Sequence, residues 1–392
     1  MADIDTTKIT IIGHPWAPIG MGEQLRSHVR AALALKLDVQ VYDIFRYAQR
    51  SDLSHAALLD RIETATVPGG IRIFHINGDE VERVLDVFAQ GGNDFAAGIN
   101  IIMPAWELPT YPAAWVPALQ RFDEIWAISS FVQQSLTAAG LPSHLVGQSV
   151  QFDAVPMLPR RHFGIRESAF VLLHFFDISS YAARKNPEAV QSLFDMLRAE
   201  NPFADLQLVL KVKEGQNPGH WNTDGISDPQ IKIIDTPLDT QSVLSLINAC
   251  DCFVSLHRAE GFGRGLGEAM ALGRLALGTG WSGNTDFMTE TNALPVRHSS
   301  IKLKPDEYPH AKGQHWAAPD LDHAASLLRP ILVDPTRGAA RARLGQREVL
   351  QSHGDRAVGL RMLARLEALL GGKTSKPSRP KKTSTPSTAR RR

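Results

Sequence analysis

Cysteine is nearly absent from this chain: 392 residues contain two, Cys250 and Cys252. They stand two apart at the edge of an apolar run, and a disulfide framework or a zinc site would need more partners, so they read as buried thiols. No apolar stretch approaches the ~20 residues that span a bilayer. Aromatic residues are 7% and charged residues 21%, against 43% hydrophobic, the balance of a globular protein rather than a disordered one. The acidic clusters of a carboxylate metal site are missing too. Apart from Asp3-Ile4-Asp5 at the N-terminus, the one D-x-D, Asp320-Leu321-Asp322, follows a loop with Trp316 and Pro319 where a helix should begin, and helix capping accounts for it. No metal is therefore expected. Met1 to Thr7 are acidic and polar, lead straight into a strand and lack the pattern of a secretory leader, so a cytoplasmic protein is expected.

Excess charge of one sign is also lacking, since the formal net charge is +1. That balance hides an asymmetry. Eight of the 42 Lys and Arg lie in 373–392 with no acid among them, so the other 34 face 41 acids. The tail G-G-K-T-S-K-P-S-R-P-K-K-T-S-T-P-S-T-A-R-R-R, 371–392, has nothing to bury and is expected to be disordered. It has the form of neither a nucleic-acid module nor an amphipathic helix. Two readings stand equal: peripheral contact with an anionic membrane face, at about 1 kcal/mol per charge near the surface, or an inert solubilising end.

A length of 392 residues suggests two domains of roughly 150 to 200 residues each. Lys8 to Gly13 reads as a first strand, then a loop with Gly20 and Gly22, then a helix from about Glu23 to Leu35. Further strands are expected at Val39–Tyr42, Ile71–Ile76, Asn100–Met103 and Glu124–Ile128, with Ser129 as the N-cap of a helix from Phe131 to Ala139. The proline-rich stretch up to Arg166 reads as a linker, which sets the division at 1–150, a linker at 151–166, and a second lobe at 167–370. That second lobe opens on F-V-L-L-H-F-F, Phe170 to Phe176, a continuous apolar run typical of a central parallel strand. Helix and strand alternate after it, so the fold class is α/β, two doubly wound Rossmann-like parallel sheets facing a cleft.

The densest chemistry lies in E-G-F-G-R-G-L-G-E, Glu260 to Glu268. A short apolar strand, Cys252 to Leu256, precedes it, and helical spacing through Leu266, Ala269, Met270 and Leu272 follows. Gly261, Gly263 and Gly265 thus fall at a strand-to-helix turn, where exposed backbone N–H groups and the positive end of a helix suit a phosphate. A carboxylate brackets the turn on each side. This pattern, a Glu, seven residues and a second Glu across G-F-G, resembles the signature of retaining, nucleotide-sugar-dependent glycosyltransferases of the two-lobed GT-B fold, in the large family numbered four. The resemblance covers most of residues 8 to 370 and is strongest at 95–135 and 251–290, where W-E-L-P, D-E-I-W-A-I-S and T-G-W-S-G-N-T-D-F are similar to a bacterial surface-polysaccharide branch.

The resemblance implies that Glu260 holds sugar hydroxyls and that Glu268 holds the ribose diol. Gly261, Phe262, Gly263, Arg264 and Gly265 would line the donor phosphates, with Gly20 and Gly22 approaching from the first lobe. Arg184 and Lys185, in F-D-I-S-S-Y-A-A-R-K-N-P, are placed to neutralise a diphosphate leaving group. The family sets an Arg directly after the strand; here Asp177 stands there, so Lys185 is the better match and Arg184 a substitute. Relatives also carry a His near the first-lobe turn, whereas Met103-Pro104-Ala105-Trp106-Glu107 has none. Glu107 is then a candidate for orienting an acceptor hydroxyl, Trp106 for stacking on a sugar and His14 for a hydrogen bond, and a satisfied Glu beside a packed Trp is the competing reading. Thr279 to Phe287 would close over the sugar or phosphate, and Asp235 to Leu238 is a weaker candidate for the base pocket.

Together these imply a metal-independent hexosyltransferase without a cofactor, using a nucleotide diphosphate sugar and a saccharide or lipid-linked acceptor, mannose being one sugar among several. No nucleic-acid partner is expected. Two alternatives stay open: a catalytically inactive nucleotide-sugar-binding partner, and a nucleotide-sugar epimerase on the same fold.

Overall fold

The computed structural model describes residues 8–46, 53–67, 69–152, 157–178, 181–213 and 228–373. Strands β1 (Ile9–Gly13), β2 (Val39–Asp43), β3 (Gly70–Phe74), β4 (Gly98–Ile102), β5 (Glu124–Ala127) and β6 (His144–Leu145) form one sheet, ordered β2-β1-β3-β4-β5-β6 with every pair parallel. All five residues of β1 are buried, as expected for an Ile-rich strand covered on both faces. A second parallel sheet is built from β7 (Phe170–Asp177), β8 (Leu206–Lys213), β9 (Ile231–Ile234), β10 (Cys252–Ser255), β11 (Leu275–Thr279) and β12 (Leu294–Val296), ordered β12-β11-β10-β7-β8-β9. The α/β class and the paired doubly wound sheets are as the sequence predicts.

Capping set several helix starts in advance. The Ser129 hydroxyl accepts from Val132 N and begins the helix Ser130–Ala138, and Asp320 accepts from His323 N and begins Leu321–Val333. Elsewhere the structure departs from expectation. The first helix runs Gly20–Ala34, three residues earlier than its apolar spacing suggests, because Glu23 N already bonds to Ile19 O. Gly20 and Gly22 therefore lie in a helical first turn, not in the loop before it. An antiparallel hairpin, β13 (His298–Lys302) paired with β14 (His315–Pro319), is new; its first strand is mostly exposed and carries no apolar alternation to announce it.

The chain ends its course back on the first lobe. The last helix, Asp355–Lys373, packs on Gly20–Ala34, and at Gly359 a Cβ would stand 2.4 Å from Ala31 O, so the helices touch backbone to backbone. Arg365 binds Glu124 at the end of the first sheet through two bonds of 3.0 and 2.7 Å. The helix takes in 371–373, which were expected to belong to the disordered tail. The basic tail from 374 onward lies outside the described residues. Among the described residues no helix is long and apolar enough to cross a membrane.

One contiguous hydrophobic core joins the lobes, running from β1 through Trp106 and Ile128 to Phe262 and Phe287. A second core of residues such as Leu172, Leu208 and Phe194 fills the other face of the second sheet. The seam between the lobes is consequently packed, and the polar groups buried along it mark the site.

Candidate active site

Gly263 is the pivot of the turn after β10. Its φ of +85° and its place as N-cap of the helix Arg264–Ala271 need a residue without a side chain. The loop ahead of it is held from behind by the segment after β11. Gly283 N bonds to Glu260 O at 3.0 Å, and Glu260 N donates to the Ser282 hydroxyl at 2.9 Å. A Cβ on Gly283 would stand 2.1 Å from Gly261 O, so only glycine permits this contact. His257, fully buried, places Nε2 3.0 Å from Asn284 Oδ1 and completes the brace.

This support aims Glu260 at two cations from the short helix Ala182–Lys185. Lys185 Nζ donates to Oε1 at 2.5 Å and Arg184 Nη1 stands 3.1 Å from Oε2. Burial alone would raise the Glu260 carboxyl, but the Lys185 and Arg184 charges outweigh it and hold it down at about 2. Burial pulls the Lys185 ammonium below its ordinary value despite the neighbouring carboxylate. Burial also opposes the charge on Arg184, yet Glu260 and Glu107 raise its pKa further and keep it ionised. Two adjacent cations thus end together at the seam, a suitable partner for a diphosphate.

Glu268 sits in a second cluster. Arg264 Nε lies 2.7 Å from Glu268 Oε1, and Arg264 Nη2 reaches across the seam to Glu23 Oε1 at 2.9 Å. Glu23 also binds Arg26 and Arg30, each at 2.8 Å. Burial would raise Glu23, but Arg30, Arg264 and Arg26 hold it well below the carboxylate range. Burial raises Glu268 and, with the Glu23 carboxylate nearby, prevails over Arg264 and Arg30.

The first lobe supplies the opposite wall. The Ser129 hydroxyl donates to Gly261 O at 2.5 Å, and Asp286 accepts from Ser130 N at 2.7 Å, so a carboxylate of one lobe caps a helix of the other. Trp106 O would stand 3.0 Å from a Cβ on Gly261. Among the described residues no group of three or more His, Cys, Asp or Glu side chains is arranged to hold a metal ion.

No family model and no curated protein matches this chain in sequence. Solved structures do match it in shape. HepE of Anabaena, solved with UDP and glucose, superposes with a TM-score of 0.65 at 15% identity over 92% of this chain and 100% of its own. The sucrose-phosphate synthase of Thermosynechococcus elongatus gives 0.61 at 14% identity, covering 93% and 100%. The lipopolysaccharide outer core galactosyltransferase WaaB gives 0.57 at 14% identity, covering 93% and 99%. The fold is GT-B.

Within the GT-B frame the predicted residues divide. Glu260, Arg184 and Lys185 come together, as do Glu268 and Arg264, and both groups face the seam. Gly261 allows the close approach of Trp106, whereas Gly265 serves packing, since a Cβ there would meet the Phe175 and Phe253 rings at 2.7 Å. Phe262 is a core residue against Phe287 and His353, with centroids 5.2 and 5.6 Å away. Gly20 faces open space, while Gly22 is crowded by Ala17 O, 2.2 Å from where its Cβ would be.

His14 stacks on Phe45 at 3.6 Å and sits 3.3 Å from Glu80, away from both acid clusters. Trp106 is 3% exposed, packed among Tyr111, Trp115 and Tyr308, with its indole N–H on Thr110 O. It is therefore a wall of the site, not an open platform for a sugar. The Glu107 carboxylate accepts the Tyr308 hydroxyl at 2.7 Å. Sequence reading missed Glu23 and Tyr308, and it singled out Thr279 to Phe287 without assigning parts to Ser282 and Asp286 within it. Glu23 carried one signal, an acid directly behind G-M-G; Tyr308 carried none.

Proposed function

We propose that this GT-B protein is a metal-independent glycosyltransferase of the retaining kind, family four, moving a hexose from a nucleotide diphosphate sugar to a hydroxyl of a saccharide or lipid-linked acceptor. One observation carries the reading: two carboxylates with seven residues between them bracket a glycine turn on the seam between the lobes, and the first grips two cations, the buried Arg184 and the half-buried Lys185. HepE, of the same fold, was solved with UDP and glucose, which supports a nucleotide sugar as donor.

In this reading the diphosphate takes over Arg184 and Lys185 beside the start of the helix Arg264–Ala271. Their charge stabilises the phosphate as the bond from the anomeric carbon to its oxygen breaks. The acceptor oxygen bonds to that carbon on the same face, and its proton passes to the departing phosphate oxygen. Glu260, left ionised, holds sugar hydroxyls and offsets positive charge developing on the ring. Glu268 exchanges part of its contact with Arg264 for the ribose diol.

A thermal-shift screen against UDP, GDP, ADP and their common sugars, followed by a nucleotide-release assay with the best donor, tests this. At least one donor should raise the melting temperature and be consumed in EDTA at the same rate as in magnesium. Binding without release of nucleotide diphosphate, with or without saccharide acceptors, would instead indicate a catalytically inactive sugar-nucleotide binder.

A further inference from the structure

Arg184 and Lys185 are consecutive residues on one helical turn, and adjacent side chains on a helix do not face the same way. Yet both end on Glu260, at 3.1 and 2.5 Å. Something must steer the arginine. Its guanidinium donates to Ala259 O at 3.0 Å and its Cζ lies 5.9 Å from the centre of the Tyr308 ring, within cation–π range. Tyr308 comes from the loop between β13 and β14, far along the chain. Its hydroxyl donates to Glu107 Oε2 at 2.7 Å on the opposite lobe, and Tyr181 and Trp106 flank the ring at 4.8 and 5.8 Å. At the other end of the same loop Gln314 clasps Thr110, accepting from its N at 3.1 Å and donating to its O at 2.7 Å. The loop thus crosses the seam and is tied to the first-lobe turn at two points.

We propose that Tyr308 is a positioning residue for Arg184, and that its bond to Glu107 makes the alignment of that cation conditional on closure of the two lobes. Separation of the lobes breaks the Tyr308–Glu107 and Gln314–Thr110 contacts and frees the ring to leave the guanidinium. The leaving-group charge is then incomplete in the open form, so a bound donor is protected from water until the lobes close. This inference rests on the glycosyltransferase reading and assigns a regulatory part within it.

The test uses the full chain with Tyr308→Phe, Tyr308→Leu, Glu107→Gln and the Phe/Gln double variant, assayed on UDP-glucose, ADP-glucose and GDP-mannose. Tyr308→Phe should lower kcat about fivefold and Tyr308→Leu about fiftyfold, with donor KM within about twofold of wild type, because the contact matters where leaving-group charge develops. The double variant should be no slower than the slower single one, since both remove the same bond. Wild-type kcat in Tyr308→Leu, or multiplicative losses in the double variant, would overturn the inference. A readout free of turnover separates its failure from that of the enzyme reading: the Arg184 guanidinium protons, followed by NMR, should exchange with solvent at least about tenfold faster in Tyr308→Leu. Should wild type consume none of the donors, the enzyme reading falls, while unchanged exchange sinks the positioning role by itself.

Discussion

Arg264 Nη2 lies 2.9 Å from Glu23 Oε1, joining residues 241 positions apart across the two lobes, while its Nε holds Glu268 at 2.7 Å. The second carboxylate of the glycine turn is thereby linked to the opposite lobe through a single guanidinium. This pair and the Ser130–Asp286 cap are two of the polar ties of a closed seam, beside Ser129–Gly261, Tyr308–Glu107 and Gln314–Thr110. Arg264→Ala with Asp286→Ala should loosen it. Each loss leaves a buried acid or a helix start without its partner, so we expect about 1–2 kcal/mol of destabilisation per site. Small-angle scattering should show a larger radius of gyration for the double variant. An unchanged radius with lower stability would mean that the seam stays closed without these two ties.

The two acids should fail differently. Glu260→Gln removes the counter-ion of Arg184 and Lys185 and an oxocarbenium partner, so kcat should fall by about 100-fold, with nucleotide affinity changed less than about threefold. Glu268→Ala should weaken nucleotide binding by about tenfold, with a smaller effect on turnover. Calorimetry with UDP or GDP beside donor-hydrolysis kinetics measures both. Equal and small effects would contradict the assigned roles.

Acid should expose the Glu260 cluster. Its carboxyl is held down at about 2, below its value in an unfolded chain, because the Lys185 and Arg184 charges outweigh burial. A depressed acid stabilises the fold above its unfolded pKa and loses that contribution as pH falls through the folded one. The contribution is on the order of 2–3 kcal/mol, full above about pH 5 and fading towards pH 2. Denaturant unfolding of wild type and Glu260→Gln should therefore show a stability gap that narrows from pH 6 to pH 3. A gap independent of pH would exclude the ion-pair origin.

Glycine substitutions should separate space from conformation. Gly20→Ala meets nothing within 4 Å and should leave stability within about 0.5 kcal/mol of wild type. Gly22→Ala, pressed against Ala17 O, and Gly263→Ala, with φ at +85° and Asn284 Cβ 2.8 Å away, should each cost about 1–3 kcal/mol. Gly263→Ala should also lower turnover, because it moves the turn that aims Glu260. Thermal unfolding and nucleotide release check these in the same preparations.

The paired sheets and the glycine turn were legible because their signals are local. Apolar runs such as that of Phe170 to Phe176 report strands covered on both faces, and Ser129 and Asp320 announce helices that begin at the next residue. The E-G-F-G stretch forms the expected strand-to-helix turn on the same grounds. The hairpin carrying Tyr308 was not legible, since the strand His298–Lys302 is mostly exposed and lacks alternation. Phe262, Gly265 and Trp106 misled in the other direction. Their motif context pointed to ligand contact, but their surroundings, known only in three dimensions, use them for packing.

The order of residues alone settled the class of fold, the strand-to-helix turn with its two acids, and the adjacent cations at the end of a central strand, because hydrophobic period, capping and glycine act within a few positions. Which charge meets which was decided by tertiary structure. Arg264 with Glu23, Tyr308 with Glu107 and Asp286 with Ser130 are joined across the seam, and such pairs leave no periodic trace in the chain, since their attraction begins only once two separately built sheets have closed on one another.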